Sequence, residues 1–242
     1  MIIGPTGSGK TGLSLDVTRE LNKVGLSAEI ISADSRAIYK GMDIGTAKPS
    51  LEERGEVPHF GLDLVYPDEY FTVADWKEYA QQKIDEIKKR GNVPIVVGGT
   101  GLYIDALVFD YGFNNIVQKS CSDRKEMCSG YKIFGIEWDR QLLRKRLVQR
   151  VNKIFVQELF NETKELAEKY DWEIQAMKSN IYKYVWMYLK GELTEKEAKE
   201  RAVTVDYQLT RRQMTWFRRN PEIRWGSLAE TKKSVLKCIQ DE

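Results

Sequence analysis

A stretch near the start of the sequence has residue types and a spacing that suit phosphate binding. Residues 4–11 read GPTGSGKT and match the pattern G-x-x-x-x-G-K-[ST] at every fixed position. Glycines let successive backbone N–H groups turn toward an anion, Lys10 adds a positive charge, and the Thr11 hydroxyl group can bind Mg²⁺. The pattern predicts a loop that binds two phosphate groups in series, but it does not show whether they belong to a nucleotide.

The residues on either side of this loop predict the elements that hold it. Residues 1–3 are apolar and indicate a short buried strand, because they lead directly into the glycine-rich turn. Apolar residues then recur at helical spacing at Leu13, Leu15, Val17 and Leu21. This order of strand, loop and helix is the context that a phosphate-binding loop requires.

A second candidate group follows a predicted strand at residues 28–32. Asp34 lies just beyond that strand, and in an open parallel sheet such positions face the ligand crevice, so we expect Asp34 beside the bound phosphates. An aspartate there can orient Mg²⁺, cap a helix or accept a proton, and the sequence leaves these three roles open. The loop at residues 39–49, which is rich in glycine and contains Lys48, is predicted to face the substrate.

A third predicted strand, at residues 93–97, ends in the turn GGTGLY instead of an acidic residue. Hydrolysing P-loop NTPases have an acidic residue at this position that supports Mg²⁺, so the turn argues against a motor or switch and favours a group-transfer enzyme. In such an enzyme Asp34 is the acidic group of the site. Thr100 can donate a hydrogen bond to the reacting group or cap the next helix.

The lone histidine, His59, has no acid–base partner near it in sequence and is assigned no catalytic role.

Helical patterns fill most of the remaining chain. The capping box of Thr72 and Asp75 predicts a helix that runs to about residue 90. Residues 110–130 are predicted to form a loop and residues 131–137 a strand, and Asp139 is predicted to cap one long helix over residues 140–169. The helix after Thr72 is expected to face the sheet through four residues: Trp76, Ala80, Ile84 and Ile87.

Two basic patterns lie in the second half of the chain. Arg146 and Arg150 are four residues apart and share a helix face, which suits either a lid over a departing phosphate or a solvated basic face. Residues 211–219 interleave arginine with aromatic residues, as contact with exposed RNA bases requires, although an amphipathic helix has a similar pattern.

The composition narrows the class of protein. The 242 residues include 38 Lys and Arg against 36 Asp and Glu, so net charge alone does not indicate a nucleic-acid partner. The three cysteines lack C-x-x-C spacing and predict neither disulfides nor a zinc site. No apolar run approaches the ~18 residues of a membrane span, and no signal peptide is recognised, so we expect a cytoplasmic protein with no membrane contact.

The motifs together resemble the tRNA dimethylallyltransferase family of P-loop isopentenyltransferases. Over residues 1–109 the resemblance is carried, in family order, by GPTGSGKT, ADSRAIYKGMDIGTAKP, VPHFGLDL, YFTVADW and VGGTGLYIDAL. Weaker similarity follows in RQLLRKRLVQRVNKIF, IYKYVWMYLKGE and RRQMTWFRRNPEIRW. The resemblance implies an α/β fold with a P-loop NTPase-like three-layer parallel sheet flanked by helices. It divides the chain into a P-loop α/β core at residues 1–139 and a helical part at residues 140–242 that completes the core and contacts RNA.

The resemblance also implies an activity and roles for single residues. The activity is transfer of a dimethylallyl group from dimethylallyl diphosphate to N6 of adenosine 37, beside the anticodon in the tRNA anticodon stem-loop, with Mg²⁺ held at Thr11. Asp34 corresponds to the general base, and Thr100, Lys10 and Arg150 complete the catalytic set. The diphosphate is expected on Gly4, Thr6, Gly7, Ser8, Gly9, Lys10 and Thr11. Contacts with tRNA are expected from Asp34, Ser35, Arg36, Ala37, Tyr182, Lys183, Arg211, Arg212 and Gln213.

The sequence departs from the family pattern in several places. Arg36 stands where the family has glutamine, and Ile181 and Tyr184 replace parts of its Gly-Tyr-Lys/Arg-Glu motif. The helical insertion domain that follows GGTGLY in the family is reduced or missing, and no carboxy-terminal zinc finger is present, so the chain resembles a reduced bacterial member that acts as a monomer. Two alternatives stay open: an adenylate isopentenyltransferase that acts on free AMP, ADP or ATP, and a P-loop small-molecule kinase.

Overall fold

Parallel strands form the central sheet of the protein, for which a computed structural model describes residues 1–111, 127–128, 130–177 and 180–241. The strand order across the sheet is β3-β2-β4-β1-β5-β6, and every pair of neighbours is parallel. The strands are β1 (Ile2–Ile3), β2 (Ala28–Ala33), β3 (His59–Phe60), β4 (Val93–Gly98), β5 (Phe134–Ile136) and β6 (Arg224–Gly226).

Helices cover both faces of this sheet. They are α1 (Lys10–Lys23), α2 (Leu51–Glu56), α3 (Val73–Lys89), α4 (Gly101–Val108), α5 (Arg140–Ile154), α6 (Gln157–Lys169), α7 (Asn180–Leu189), α8 (Glu195–Phe217) and α9 (Leu228–Gln240). Within the described residues, no helix has the length and apolar character needed to cross a lipid bilayer.

The two residues of β1 show how the layers are built. Successive side chains of a strand point to opposite faces, and Ile2 packs with α1 and α9 whereas Ile3 packs with α3 and α4. Both side chains are fully buried, as expected for a parallel sheet that helices cover on both sides. The three-layer parallel α/β fold expected from the resemblance is therefore confirmed.

The helix predicted after Thr72 is present as α3. The Thr72 hydroxyl group accepts a hydrogen bond from Asp75 N, and the Asp75 carboxylate accepts one from Thr72 N, so the capping box is complete. Trp76 is fully buried and donates a hydrogen bond from Nε1 to Ser32 O at 3.0 Å. The four residues predicted to face the sheet are the buried residues of this helix.

The prediction of one helix over residues 140–169 is wrong. Asp139 caps α5 as predicted, but α5 ends at Ile154 and α6 begins at Gln157. Phe155 turns into the core, where it packs against Phe160 with ring centroids 5.1 Å apart, and the next residue has extended backbone angles. Tertiary packing of one aromatic side chain therefore breaks a continuous helical pattern.

The end of the chain adds a strand that was not predicted. β6 pairs with β5, which is itself shorter than predicted. The following helix, α9, packs on α1, so residues 224–240 add one edge strand to the sheet and one helix to the layer that contains α1. Trp225 lies so close to Gly135 that a Cβ atom there would be 2.4 Å from its ring. A three-residue strand is too short to show an alternating pattern.

Most of the loop predicted at residues 110–130 lies outside the described residues.

One carboxylate holds the glycine-rich loop at residues 39–49 in shape. Glu162 on α6 accepts hydrogen bonds from the backbone N–H groups of Asp43, Ile44 and Gly45 at 3.0, 2.9 and 3.1 Å. The Tyr182 hydroxyl group donates a further hydrogen bond to it at 2.6 Å. The loop is therefore fixed by helices that come more than one hundred residues later in the chain.

Replacement of Glu162 should destabilise the protein strongly. In Glu162→Ala three backbone donors and a buried hydroxyl group lose a charged acceptor, and we expect the free energy of unfolding to fall by about 3 kcal/mol. The matched control is Glu165→Ala, an exposed position on the same helix. Urea unfolding of both variants measures the difference, and equal losses would contradict the role given to Glu162.

Candidate active site

A cleft of about 860 Å³ opens at the ends of β1, β2 and β4. The loops that leave these strands meet there with the loop at residues 43–50, with α2 and with α5. The residues from the three strand ends that line it are Thr6, Gly7, Gly9, Lys10, Thr11, Asp34 and Gly99, together with Gln213 from α8.

Residues 4–11 join β1 to α1 in a conformation that suits anion binding. Gly7 and Gly9 have φ angles of 78° and 88°, in the left-handed region that side chains disfavour. The first backbone hydrogen bond of the helix runs from Leu13 N to Gly9 O, so the N–H groups of Lys10 to Gly12 have no helical acceptor. These N–H groups and the positive end of the helix dipole favour a phosphate group at this position.

Lys10 has an unusual electrostatic environment. Its Nζ atom donates a hydrogen bond to Pro5 O at 2.8 Å. Burial lowers the pKa of Lys10 to about 8; the Asp34 carboxylate opposes this shift, and Arg150 adds a smaller lowering. Asp34 therefore stabilises the positive charge of Lys10, and Arg150 destabilises it.

Two residues of the expected diphosphate set do not line the cleft. Gly4 is buried, and the Ser8 hydroxyl group lies beneath the loop, fully buried and without a hydrogen-bond partner among the described residues. The backbone N–H of Ser8 is also engaged, since it donates to Pro5 O at 3.2 Å. The remaining five residues of that set face the cleft.

Asp34 and Thr100 lie at the ends of neighbouring strands. Asp34 Oδ1 accepts a hydrogen bond from Arg36 N at 2.9 Å, which stabilises the turn after β2, and Oδ2 has no hydrogen bond among the described residues. Thr100 Oγ1 accepts from Ser35 N at 2.9 Å and donates to Ser35 Oγ at 3.2 Å. Thr100 therefore fixes the turn that carries Asp34, and it makes no side-chain cap on α4.

Two arginines of α5 line the cleft in different ways. Arg146 donates from Nε to Gly7 O at 2.8 Å, and its guanidinium group stacks on Trp138 at 4.6 Å from the ring centroid. Arg150 donates to Asp206 Oδ2 at 2.7 Å, and burial raises the pKa of Asp206 although Arg150 opposes that shift. This face of α5 therefore belongs to the site. Arg146 was absent from the expected catalytic set, although its spacing of four from Arg150 predicted that the two side chains share a helix face.

The residues expected to contact tRNA are divided between the surface and the interior. Lys183, Arg211 and Arg212 are exposed. Tyr182, in contrast to the exposed position expected of a tRNA contact, is fully buried with its hydroxyl group on Glu162. Ala37 is also buried, and Ser35 is held by Thr100. Arg36 is partly exposed and donates to Gln175 O at 2.8 Å. Gln213 bonds to the cleft loops at Thr6 and Gly99.

The site also has the donor atoms that a magnesium ion prefers. Thr11 and Asp34 place oxygen atoms in the same cleft. The described residues contain no cluster of three or more His, Cys, Asp or Glu side chains that would form a complete metal cage. Mg²⁺ commonly keeps several waters and binds substrate phosphates beside one or two protein oxygens, so this small donor set fits it.

Sequence comparison places the chain among known enzymes. The family model for IPP transferase matches residues 37–129 and 116–220. A tRNA dimethylallyltransferase from Natranaerobius thermophilus is 32% identical over 294 positions, with 97% of this chain and 88% of that protein covered. One from Acetivibrio thermocellus is 34% identical, with 93% and 90% covered. Since 294 positions exceed the 242 residues of this chain, the first relative contains residues without a counterpart here.

Structural comparison agrees with this result. The full-length tRNA isopentenylpyrophosphate transferase from Bacillus halodurans superposes with a TM-score of 0.85 at 27% identity, covering 99% of this chain and 94% of that one. A eukaryotic dimethylallyltransferase that acts on tRNA shares the fold, with a TM-score of 0.75 at 22% identity. The matched family model, the relatives above 30% identity and the shared fold lead to one conclusion: this chain belongs to the IPP transferase family.

Proposed function

We propose that the protein transfers a dimethylallyl group from dimethylallyl diphosphate to N6 of adenosine 37 of tRNA and releases diphosphate. The observation that carries this proposal is one cleft in which a phosphate-binding loop lies beside a carboxylate, Asp34, while β4 ends in Gly98 instead of an acidic residue. This arrangement suits group transfer better than hydrolysis of a nucleotide. The names of the sequence relatives support the same activity.

The reaction is a single displacement at the allylic carbon. The lone pair of adenine N6 is delocalised into the ring, so the amino group is a weak nucleophile that benefits from a base. As the bond between N6 and carbon forms, the bond between carbon and the bridging oxygen breaks, and its electron pair leaves with the diphosphate. Asp34 Oδ2 is available to accept the N6 proton, because Oδ1 is occupied by Arg36 N.

Positive groups around the loop stabilise the leaving diphosphate. Lys10 and Arg150 supply charge from two sides, and the first-turn N–H groups of α1 supply fixed dipoles. Arg146 adds a third cation next to Gly7 and Gly9. A magnesium ion held by Thr11 would neutralise further charge on the phosphate oxygens.

The RNA must present an unstacked base to this cleft, and opening the stack costs a few kcal/mol. Exposed groups on α7 and α8 can offset that cost through phosphate contacts and stacking. Lys183 lines a groove with Trp172 and Trp186, whose rings stack with centroids 5.5 Å apart, and Lys190 lies 5.3 Å over the Trp186 ring. Arg211 and Arg212 extend the basic surface.

Parallel transfer assays test the proposed substrate. With labelled dimethylallyl diphosphate, we expect prenylation of tRNA and little of AMP or ATP, because a free nucleotide has no flanking RNA backbone to contact α7 and α8. Mass analysis of digested tRNA locates the modified base. Equal prenylation of AMP would support the adenylate isopentenyltransferase alternative, and transfer of phosphate from ATP to a small molecule would support a kinase.

Replacement of Asp34 by asparagine separates its two roles. Asp34→Asn keeps an oxygen that accepts from Arg36 N but removes the basic carboxylate, so we expect kcat to fall by roughly 10²–10⁴-fold with little change in melting temperature. Single-turnover transfer at saturating substrates measures the chemical step. A near-normal rate in this variant would mean that Asp34 only stabilises the turn.

The low pKa of Lys10 predicts that diphosphate binding depends on pH. A bound diphosphate favours the charged lysine and raises its pKa above the free value of about 8. Affinity is therefore highest below pH 8 and falls as pH rises through that value, to about tenfold weaker at pH 9 than at pH 7. Calorimetric titration of the parent and Lys10→Arg measures this effect. Arginine stays charged, so its pH profile should be flatter, and identical profiles would assign the titration to another group.

A further inference from the structure

Gln213 on α8 connects two loops of the cleft. Its Oε1 atom accepts hydrogen bonds from Thr6 N at 2.8 Å and from Thr6 Oγ1 at 3.3 Å. Its Nε2 atom donates to Gly99 O at 3.1 Å. Thr6 belongs to the loop after β1 and Gly99 to the turn after β4, so a single side chain ties the diphosphate loop to the neighbouring strand end.

This contact requires close approach of helix and loop. A Cβ atom at Gly99 would lie 2.6 Å from Gln213 Nε2, so a side chain at position 99 would push the amide group away from its present position on the Gly99 carbonyl. Trp216 lies one helical turn after Gln213 on α8, and a Cβ atom at Gly101 would be 2.2 Å from its ring. Trp216 also donates from Nε1 to Asp105 Oδ2 at 2.9 Å. Gly99 and Gly101 therefore form part of the surface on which α8 packs.

Glutamine at position 213 has both of the hydrogen-bonding groups that the two loops require. The Thr6 N–H needs an acceptor and the Gly99 carbonyl needs a donor, and a neutral amide offers both at one site. A carboxylate would repel the Gly99 carbonyl and add negative charge to an anion site, and a lysine would have no acceptor for Thr6.

We propose that Gln213 is a positioning residue for the diphosphate, which sets the conformation of residues 4–11 from outside the loop and does not act as an RNA contact. The proposal rests on the proposed function insofar as the ligand is a diphosphate. Thr6 is next to Gly7, whose backbone turns the chain toward the phosphates, so movement of Thr6 alters the direction of the following N–H groups. The neighbouring Arg211 and Arg212 are exposed on the same helix and are the contacts with RNA that the proposed function expects.

Direct binding of dimethylallyl diphosphate in the absence of RNA tests this role. For Gln213→Ala and Gln213→Glu at pH 8 we expect the dissociation constant to rise about tenfold, because the Thr6 or Gly99 contact is lost. In Gln213→Glu the affinity relative to the parent should recover toward pH 5, since a protonated carboxyl group is again both donor and acceptor. Gln213→Ala should show no such recovery.

Arg212→Ala is the matched control on the same helix. It should leave the diphosphate dissociation constant unchanged and raise KM for tRNA, because its side chain is exposed and bonds to neither cleft loop. Melting temperatures of all variants verify folding, and the near-isosteric Gln213→Glu keeps the test available where alanine destabilises the helix.

Parent-like diphosphate affinity in both Gln213 variants, with a raised KM for tRNA, would overturn the proposal and make Gln213 an RNA contact. Inorganic diphosphate distinguishes this result from failure of the proposed function. If the parent binds inorganic diphosphate in a Gln213-dependent manner but not the dimethylallyl ester, the positioning role stands and the proposed substrate falls. If the parent binds neither, both are wrong.

Discussion

The orientation of the peptide groups in residues 4–11 is the constraint on which the site depends. Backbone N–H groups can face an anion only if the carbonyl groups of the same loop point elsewhere and find donors. For Pro5, Gly7 and Ser8, side chains supply these donors: Lys10 to Pro5 O, Arg146 to Gly7 O and Trp138 to Ser8 O. These hydrogen bonds hold the loop in shape, and two of the three donors, Lys10 and Arg146, are also cations that line the cleft.

The partners of this loop come from distant parts of the chain, which explains why a short motif needs a large fold. Trp138 follows β5 and Arg146 lies on α5, so the half of the protein that is least similar to the family motifs supports the most similar part. The turn after β2 is fixed in the same way by Thr100, which follows β4. The loop after β1 and the turn after β2 are therefore both positioned by residues from other strand ends or helices.

Local patterns predicted the elements well, whereas contacts between distant residues could not be predicted. The strand, loop and helix around Lys10 and the capping box of α3 follow from spacing alone, and both are present. The break at Phe155 depends on where an aromatic side chain packs, and the interior position of Tyr182 depends on Glu162, twenty residues earlier on another helix. Helical periodicity contains no information on either. Gln213 likewise lies in a segment rich in arginine and aromatic residues. That pattern indicated contact with RNA and gave no sign of the hydrogen bonds of Gln213 with Thr6 and Gly99.

The position of β6 has a consequence for how the protein reaches its folded state. β1 pairs with β5 about 130 positions later, and β5 then pairs with β6 about 90 positions beyond that. During synthesis, β5 remains an open sheet edge until residues 224–226 have left the ribosome, and an open edge can pair with another chain. Chains that stop between residues 214 and 223 would therefore be prone to aggregation, although they contain all the described residues that line the cleft.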